Sequence, residues 1–287
     1  MSTIATRTYR DKYRSASLDH LLRNALIAEK VCDVDRSDSK RIQSPYGSSP
    51  TATVAAIAGT YSLAEYTLTD DTLTVTDQIT VAEHIFDFED ILNQFDVFAS
   101  RVDNQNAAVV TAIDKFALNE LCEGGTGTYT TPAGGFTTAA NVNEIMSNIV
   151  GLTSGYAEAY NGLYVVIEST DVPGFIQAQA GSAFSFADAA MNNGLLTKHM
   201  GVEVYVARAG TFVDASTTSA SGTKTWTNAG HRVGGVMKTT TYASPRGVQF
   251  TEKEVTLKTG MEVATWAYIG FKVWTPKAGL TIDITIG

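Results

Sequence analysis

The segment from Asp87 to Glu123 constrains the fold of this chain more than any other part of the sequence. Its apolar side chains recur at near-helical spacing, which predicts one helix of about 35 residues. They are Phe88, Ile91, Leu92, Phe95, Phe98, Val102, Val109, Ile113, Phe116 and Leu121. At about 1.5 Å per residue this helix spans roughly 50 Å, about three times the mean helix length. The sequence therefore predicts an extended molecule organised by a spine helix.

Composition sets the class of protein. The chain has 287 residues, of which 44% are apolar and 18% charged, so it can bury the core of one or two domains. No apolar run approaches the roughly 18 residues of a spanning helix, and the first residues lack the apolar segment of a secretory signal. Cys32 and Cys122 form no CxxC pair, which favours free thiols in a reducing cytoplasm.

Charge is unevenly distributed along the chain. Residues 1–45 hold nine Lys and Arg against six Asp and Glu, whereas residues 46–287 hold twelve against twenty-four. An acidic body argues against a nucleic-acid reader that gains affinity by neutralising phosphates. The basic start is interpreted as a solvated arm that could still touch phosphates.

The part of the chain before the spine is predicted to be an arm followed by a ribbon. Residues 1–50 contain a helical candidate, Leu18–Val31, and then a Ser-, Asp- and Pro-containing stretch without apolar periodicity. Residues 51–85 are rich in Thr, Val, Ile and Tyr, which predicts a two-stranded ribbon that turns at Asp70 and Asp71. Such a ribbon is marginally stable alone, so its edges are expected to find partners.

The part after the spine is predicted to be an α/β unit followed by strands. The glycines from Gly124 to Gly127 should end the spine helix. A second helix, Val142–Tyr160, precedes the unbroken apolar run Leu163–Ile167, which is typical of a strand covered on both faces. Residues 138–239 are predicted to form a compact domain in which residues 211–230 are an irregular loop. The remainder is predicted to be strands over Gln249–Leu257, Glu262–Trp274 and Leu280–Ile286.

The search for catalytic motifs gives no site. The chain has no phosphate-binding GxxxxGK[S/T] loop and no GxSxG serine motif, and the glycines after the spine follow a helix instead of a strand. The four histidines are scattered without metal-ligand spacing. The sequence therefore predicts no catalytic residue, no cofactor and no metal site.

The order of these parts resembles the major capsid proteins of tailed double-stranded DNA bacteriophages, which have the HK97-like fold. Four stretches carry the resemblance: the ribbon Thr51–Ile85, the spine Asp87–Cys122, the strand Gly162–Glu168 and the ending Tyr268–Pro276. The resemblance implies an α+β fold with five parts. They are an N-terminal arm (1–50), an extended β-ribbon loop (51–85), a peripheral domain with the spine helix (86–137), an inserted α/β axial domain (138–239) and C-terminal strands that complete the peripheral domain (240–287).

The same resemblance implies a function in assembly. Members of this family build hexamers and pentamers of an icosahedral head that encloses double-stranded DNA without sequence specificity, with portal, scaffolding and cement proteins as further partners. The chain would then reside in the virion after assembly in the host cytoplasm. The ribbon would lie across a neighbour, which makes Glu65, Tyr66, Asp70 and Asp71 candidate intersubunit contacts. Residues 51–85 contain no lysine, which argues against the lysine–asparagine cross-links of some members.

The sequence leaves other functions open. A shell protein of the encapsulin type would share the fold and enclose cargo enzymes instead of a genome. A soluble α/β enzyme with an unrecognised site in residues 138–239 is a rival of another class, against which the absence of a convergent nucleophile, base or metal pattern argues. A tail-tube or other structural protein of the virion is a further alternative, against which the long helix argues.

Overall fold

The computed structural model describes residues 26–48, 65–85, 97–156, 161–180, 195–219, 222–254 and 261–287. Four α-helices lie in these ranges: α1 Ile27–Val31, α2 Val97–Gly124, α3 Ala139–Thr153 and α4 Val172–Ala180. The same ranges contain fifteen strands: β1 Asp33–Asp35, β2 Arg41–Gly47, β3 Leu68–Thr74, β4 Asp77–Ile85, β5 Gly127–Thr130, β6 Leu163–Glu168, β7 Leu195–His199, β8 Val202–Ala207, β9 Asp214–Ser219, β10 Gly222–Thr227, β11 His231–Val236, β12 Thr240–Ala243, β13 Val248–Glu254, β14 Met261–Val273 and β15 Thr281–Thr285. Short 3-10 turns at Gly135–Thr137 and Thr275–Leu280 precede α3 and β15.

Helix α2 is the spine that the apolar stripe predicts. It has 28 residues, which corresponds to a length of about 42 Å. Val109, Ile113 and Leu121 lie on its buried stripe, each at most 1% exposed. The helix ends at Gly124, within the predicted glycine-rich break. The spine is thus confirmed over α2, whereas its predicted beginning at 87–96 lies outside the described residues.

A five-stranded sheet packs against the spine, with β14 as its longest strand. Strand β4 pairs antiparallel with β14 along one edge, and β13 pairs with the same part of β14 along the opposite edge. Strand β12 pairs with the last residues of β14, and β1 adds to β12 in parallel. On the face toward α2, the Thr265 hydroxyl donates to Gln105 Oε1 of the helix at 3.0 Å. Apolar side chains from both elements form one buried cluster there.

A six-stranded mixed sheet has the order β5-β15-β11-β6-β8-β7. Strand β6 explains the unbroken apolar run, because its two faces enter two different cores. Val165 and Ile167 pack with α3 and α4, whereas Tyr164 and Val166 belong to the cluster that includes α2. The strand predicted at Leu163–Ile167 is confirmed as β6. The helix predicted over Val142–Tyr160 is confirmed as α3, which begins three residues earlier, at Ala139, and ends at Thr153.

The last strand differs from the expectation that all C-terminal strands complete one sheet. Strand β14 belongs to the five-stranded sheet, but β15 pairs with β11 and β5 in the six-stranded sheet. The physical reason is the 3-10 turn Thr275–Leu280, which separates the two strands. The buried side chains of Ile282 and Ile284 therefore pack beneath α3 and not beneath α2. The predicted division of the chain into domains stays a prediction.

The predicted ribbon is wrong in its strands and in its turn. A single strand, β3, runs through Asp70 and Asp71, so this acidic pair is not a turn. The partner of β3 is β2, which comes from the stretch expected to be an unstructured part of the arm. Strand β2 shows no alternation in its sequence because much of it is exposed on both faces. Pro45 is compatible with an edge strand, where a missing N–H breaks no ladder.

The predicted irregular loop at 211–230 is also wrong. Strands β9 and β10 pair antiparallel over Asp214–Ser219 and Gly222–Thr227. The Thr residues that suggested a loop are good strand formers once one side of the hairpin is covered. Trp226 supplies that cover, because its ring is only 7% exposed and packs in the cluster around α2.

Candidate functional site

Strands β2 and β3 form a two-stranded sheet of their own, which we call the ribbon. At its root the Val75 N–H donates to the Lys40 carbonyl at 2.9 Å, and at its far end the Ser48 N–H donates to the Thr67 carbonyl at 2.9 Å. The first three residues of β3 are exposed, whereas its fourth and sixth, Asp71 and Leu73, are buried. The ribbon is therefore fastened at its root and exposed along its far half.

Asp71 fastens the root through polar contacts within the chain. Its Oδ1 lies 2.8 Å from Lys272 Nζ, and its Oδ2 accepts from the Thr275 N–H at 2.9 Å and the Thr275 hydroxyl at 2.8 Å. Burial alone would raise the pKa of this carboxyl. The hydrogen bonds from Lys272 and Thr275, with the charge of Lys272, outweigh burial and lower the pKa of Asp71 to about 2.

We expect Asp71→Asn to lower the free energy of unfolding by about 2 kcal/mol at neutral pH, since a pKa of about 2 compares with about 3.9 in an unfolded chain. A depressed pKa stabilises the fold above the unfolded value, and this stabilisation disappears as the pH falls from about 4 to about 2. The unfolding curves of the two proteins in urea should therefore converge over that interval.

Asp70→Asn is the matched control, because Asp70 is exposed on the same strand. We expect it to change the free energy of unfolding by less than about 0.5 kcal/mol. Equal unfolding curves for Asp71→Asn and the wild type at pH 7 would contradict the role given to the Asp71 contacts.

Apolar packing completes the root of the ribbon. Leu73, Val75 and Ala243 form a small buried cluster, with Ile42 and Trp274 packed against it. Gly270 of β14 allows this approach, because a Cβ at that position would lie 3.0 Å from Leu73 Cδ2 and 3.1 Å from Val75 Cα. The contacts bind the ribbon to the same strand that carries the five-stranded sheet.

The four candidate contact residues divide into two groups. Glu65, Tyr66 and Asp70 are exposed toward the far end of the ribbon, with Tyr66 72% exposed. Asp71 is buried and bound to Lys272 and Thr275 of its own chain. The structure thus brings three of the four together as free surface, and an intersubunit contact for them stays a prediction. The roles of β2, Lys272 and Thr275 were missed by sequence reasoning, because no local pattern marks them.

The spine helix also holds the N-terminal end of the described chain. Asp114 of α2 accepts hydrogen bonds from the backbone N–H groups of Ile27 at 3.0 Å and Ala28 at 2.9 Å. These carboxylate contacts satisfy donors that the start of α1 would otherwise leave unpaired. Ile27, Ala28 and Val31 are buried against the spine. Residues 26–35 therefore belong to the body of the subunit.

The hairpin β9–β10 is bound to the last turns of the spine. Glu120 accepts hydrogen bonds from Lys224 Nζ and Trp226 Nε1, both at 3.0 Å. The ring of Trp226 meets Phe116 edge-on, with centroids 5.8 Å apart. Asn119 Oδ1 accepts from Asn228 Nδ2 at 3.1 Å, and its Nδ2 donates to the Thr211 carbonyl at 2.9 Å. An ion pair, aromatic packing and hydrogen bonds of asparagine side chains therefore all join the hairpin to α2.

A buried ionic cluster ties β11 to the end of β6. Arg232 Nε lies 2.6 Å from Asp171 Oδ2, and its Nη2 lies 3.3 Å from Glu168 Oε2. Glu168 Oε1 in turn accepts the backbone N–H groups of Thr211 and Phe212 at 3.0 and 3.2 Å. The two carboxylates are occupied by donors of the protein itself. This arrangement is suited to holding the loop at Thr211 and Phe212, not to proton transfer with a substrate.

The described residues show neither a metal-binding cluster nor a helix that could span a membrane. They contain no group of three or more His, Cys, Asp and Glu side chains arranged to hold a metal ion. His231 Nδ1 lies 2.8 Å from Asp283, and His199 Nε2 lies 2.8 Å from Asn143 Oδ1. No helix among the described residues is both long and apolar enough to cross a bilayer.

Comparisons with known proteins rest on structure, because neither a family model nor a curated protein matches the sequence. The chain superposes on the capsid of the cyanophage P-SCSP1u with a TM-score of 0.67 and 13% identity, covering 92% of this chain and 89% of that one. A structure of Mycobacterium phage Che8 gives 0.65 and 15% identity, over 86% and 84% of the two chains. The mature capsid of bacteriophage PhiM1 gives 0.62 and 10% identity, over 91% and 86%.

The chain has a phage capsid fold. The superpositions cover most of both chains, so the capsid fold includes the two sheets as well as the spine. The predicted resemblance to HK97-like capsid proteins and the α+β class are confirmed at this level. A capsid of an empty GTA particle is similar to the same extent, with a TM-score of 0.61 and 13% identity. At such identities the comparison carries the fold and leaves the activity to be argued.

Proposed function

We propose that this chain is the major capsid protein of a tailed double-stranded DNA phage. The observation that carries the proposal is the capsid fold, matched over 92% of this chain and 89% of the cyanophage P-SCSP1u chain. The protein acts by self-assembly and not by catalysis. Hexamers and pentamers of the chain build an icosahedral head in the host cytoplasm, and the mature protein resides in the virion.

The two sheets correspond to the two domains of such a subunit. We assign α2 and the five-stranded sheet to the peripheral domain, and α3, α4 and the six-stranded sheet to the inserted axial domain. The ribbon corresponds to the extended loop, with strand β2 in addition to β3. Strands β5 and β15 lie outside residues 138–239 but belong to the six-stranded sheet, which supports a rigid connection between the two domains.

Assembly gives a physical role to the exposed ribbon. Among the described residues, the two-stranded ribbon leaves one row of N–H and C=O groups open on each strand, and Leu68 and Tyr66 are 63% and 72% exposed. A neighbouring subunit that covers these groups removes apolar surface from water and satisfies backbone partners. The ribbon is accordingly the part of the subunit that lies across its neighbour.

The charge of the chain suits an enclosed polyanion that must be held loosely. The formal net charge is −9, with the excess of acid outside the first 45 residues. DNA binding that depends on phosphate neutralisation would need the opposite sign. The shell is therefore expected to hold packaged DNA loosely. Contacts with this DNA that lack sequence specificity, and portal, scaffolding and cement proteins as further partners, belong to the same proposal.

The test is particle formation by the purified protein. We expect closed shells or capsomers by cryo-electron microscopy, and nuclease-resistant double-stranded DNA in particles from the phage itself. A chain that stays monomeric under native assembly conditions, with no particles, would overturn the proposal. Particles that contain a protein cargo and no genome would favour the encapsulin-type alternative.

A further inference from the structure

A cleft of about 590 Å³ lies at the root of the ribbon. Val75 and Thr76, between the ribbon and β4, line it together with Tyr268 on the outer surface of β14. Lys40, Arg246 and Asp38 also line the cleft. The Tyr268 ring is 43% exposed and packs against Trp266 with centroids 4.9 Å apart. The cleft therefore combines apolar and aromatic surface with charged side chains.

The charge of this cleft is opposite in sign to that of the whole chain. Lys40 and Arg246 carry two positive charges against the single negative charge of Asp38, whereas the chain has a formal net charge of −9. Arg246 Nε lies 3.3 Å from Asp38 Oδ1, and this one carboxylate offsets one of the two cations, so the cleft keeps a net charge of +1. A basic cleft on an acidic protein selects an acidic occupant.

The far end of the ribbon has the complementary chemistry. Tyr66 and Leu68 are the most exposed large apolar side chains of the described residues, at 72% and 63%. Glu65 precedes them and Asp70 follows them in the sequence, and both are exposed. An aromatic ring and a leucine between two carboxylates fit apolar surface flanked by Lys40 and Arg246.

The ribbon of one chain does not reach the cleft of the same chain. Leu68 and Val75 lie at opposite ends of a paired strand, with seven steps of about 3.3 Å between them, or about 23 Å. The cleft is at Val75, and the strand pairing with β2 keeps the far end extended away from it. The occupant that brings this surface to the cleft is therefore a second copy of the chain.

We propose that the far end of the ribbon, Glu65 to Asp70, docks in the cleft at the ribbon root of a second copy, with its carboxylates paired to Lys40 and Arg246. The inference rests on the proposed function and adds the receiving surface. Every subunit carries both the ribbon end and the cleft. The contact is therefore heterologous, and each subunit can bind one neighbour through its ribbon and another through its cleft. Such a contact closes into rings when the rotation between subunits permits.

Charge reversal tests the pairing in the full-length protein. We expect E65K/D70K and K40E/R246E each to reduce the fraction of protein in particles by at least about tenfold, because like charges then face each other at every repeated contact. Combining the four substitutions restores opposite charges and should recover at least about half of the wild-type fraction. The control R208E/K253E makes the same change of charge as K40E/R246E, at two exposed residues outside the cleft, and should assemble normally.

A cysteine pair gives a readout that does not depend on assembly yield. Tyr66→Cys with Tyr268→Cys should form disulfides between chains under mild oxidation, seen as a ladder on a non-reducing gel, while either single variant should not. Native Cys32 and Cys122 are 1% and 3% exposed and should therefore form no interchain disulfide under mild oxidation. Two results would overturn this inference alone, provided that the wild type forms particles. The first is a double-cysteine variant that forms no interchain disulfide. The second is a pair of folded charge-reversal variants whose loss of assembly is not restored when the four substitutions are combined. A wild type that forms no particles would overturn the proposed function instead.

Discussion

Arg232→Met should lower the free energy of unfolding by about 3–5 kcal/mol, because it leaves two buried carboxylates without their cation. Arg232 is 6% exposed, and its guanidinium meets both Asp171 and Glu168. It also stacks over the ring of Phe212, with 5.6 Å from Cζ to the centroid. Methionine keeps much of the apolar contact, so the expected loss reports the uncompensated charges. Urea unfolding followed by circular dichroism at pH 7 measures it.

Two further variants separate charge from volume. Arg208→Met changes an exposed arginine and should alter the free energy of unfolding by less than about 0.5 kcal/mol. Adding Glu168→Gln and Asp171→Asn to Arg232→Met removes the two unpaired buried charges and should recover part of the lost free energy of unfolding. A single variant as stable as the wild type, or a triple variant less stable than the single one, would be incompatible with this account of the cluster.

Gly174→Ala should lower the free energy of unfolding by about 3 kcal/mol, because no space exists for a methyl group at this position. Gly174 lies in the first turn of α4, against the 3-10 turn Gly135–Thr137. A Cβ there would overlap the carbonyl oxygen of Phe136 and lie 2.8 Å from that of Thr137. Both obstacles are backbone atoms, so relief requires α4 to move away from the turn. Thermal unfolding should show the loss as a lower midpoint.

Gly151→Ala is the matched control for the same substitution in a neighbouring helix. A Cβ at Gly151 would meet no atom within 4 Å, and the position lies inside α3. Alanine should there raise the free energy of unfolding by about 0.5–1 kcal/mol through helix propensity. The two variants should therefore shift the midpoint in opposite directions, and a shift of the same sign and size in both would refute the steric argument.

Local periodicity predicted the parts of the fold that depend on it. The apolar stripe from Val109 to Leu121 predicted the spine, because these residues are all buried on the same face of one helix. The run in β6 identified a doubly covered strand for the same reason. Glycine after the spine marked the end of α2, since the backbone of Gly125 lies against the Thr281 carbonyl, where a Cβ would be 2.8 Å away.

Long-range partners account for what the sequence did not predict. The sequence predicts a turn at Asp71, but the partner of this residue, Thr275, is 204 positions away. The sequence predicts an irregular loop around Trp226, but the indole of Trp226 donates to Glu120, 106 positions earlier. The cleft is a similar case, because only the fold brings Lys40 and Arg246 together. Pairing of this kind leaves no periodic signal in either partner.

The two strands that leave the ribbon at its root determine how a pulling force on the far end of the ribbon is distributed. One strand continues from β3 into β4, which is hydrogen-bonded to β14 over nine residues. The other strand leads back from β2 through β1 to α1, whose first N–H groups are bound by Asp114 of the spine. A tensile load therefore reaches the five-stranded sheet along two covalent paths, through β4 and through β1, and the second path continues to the spine helix. The β4 ladder carries its share in shear, with its hydrogen bonds loaded together and not one after another.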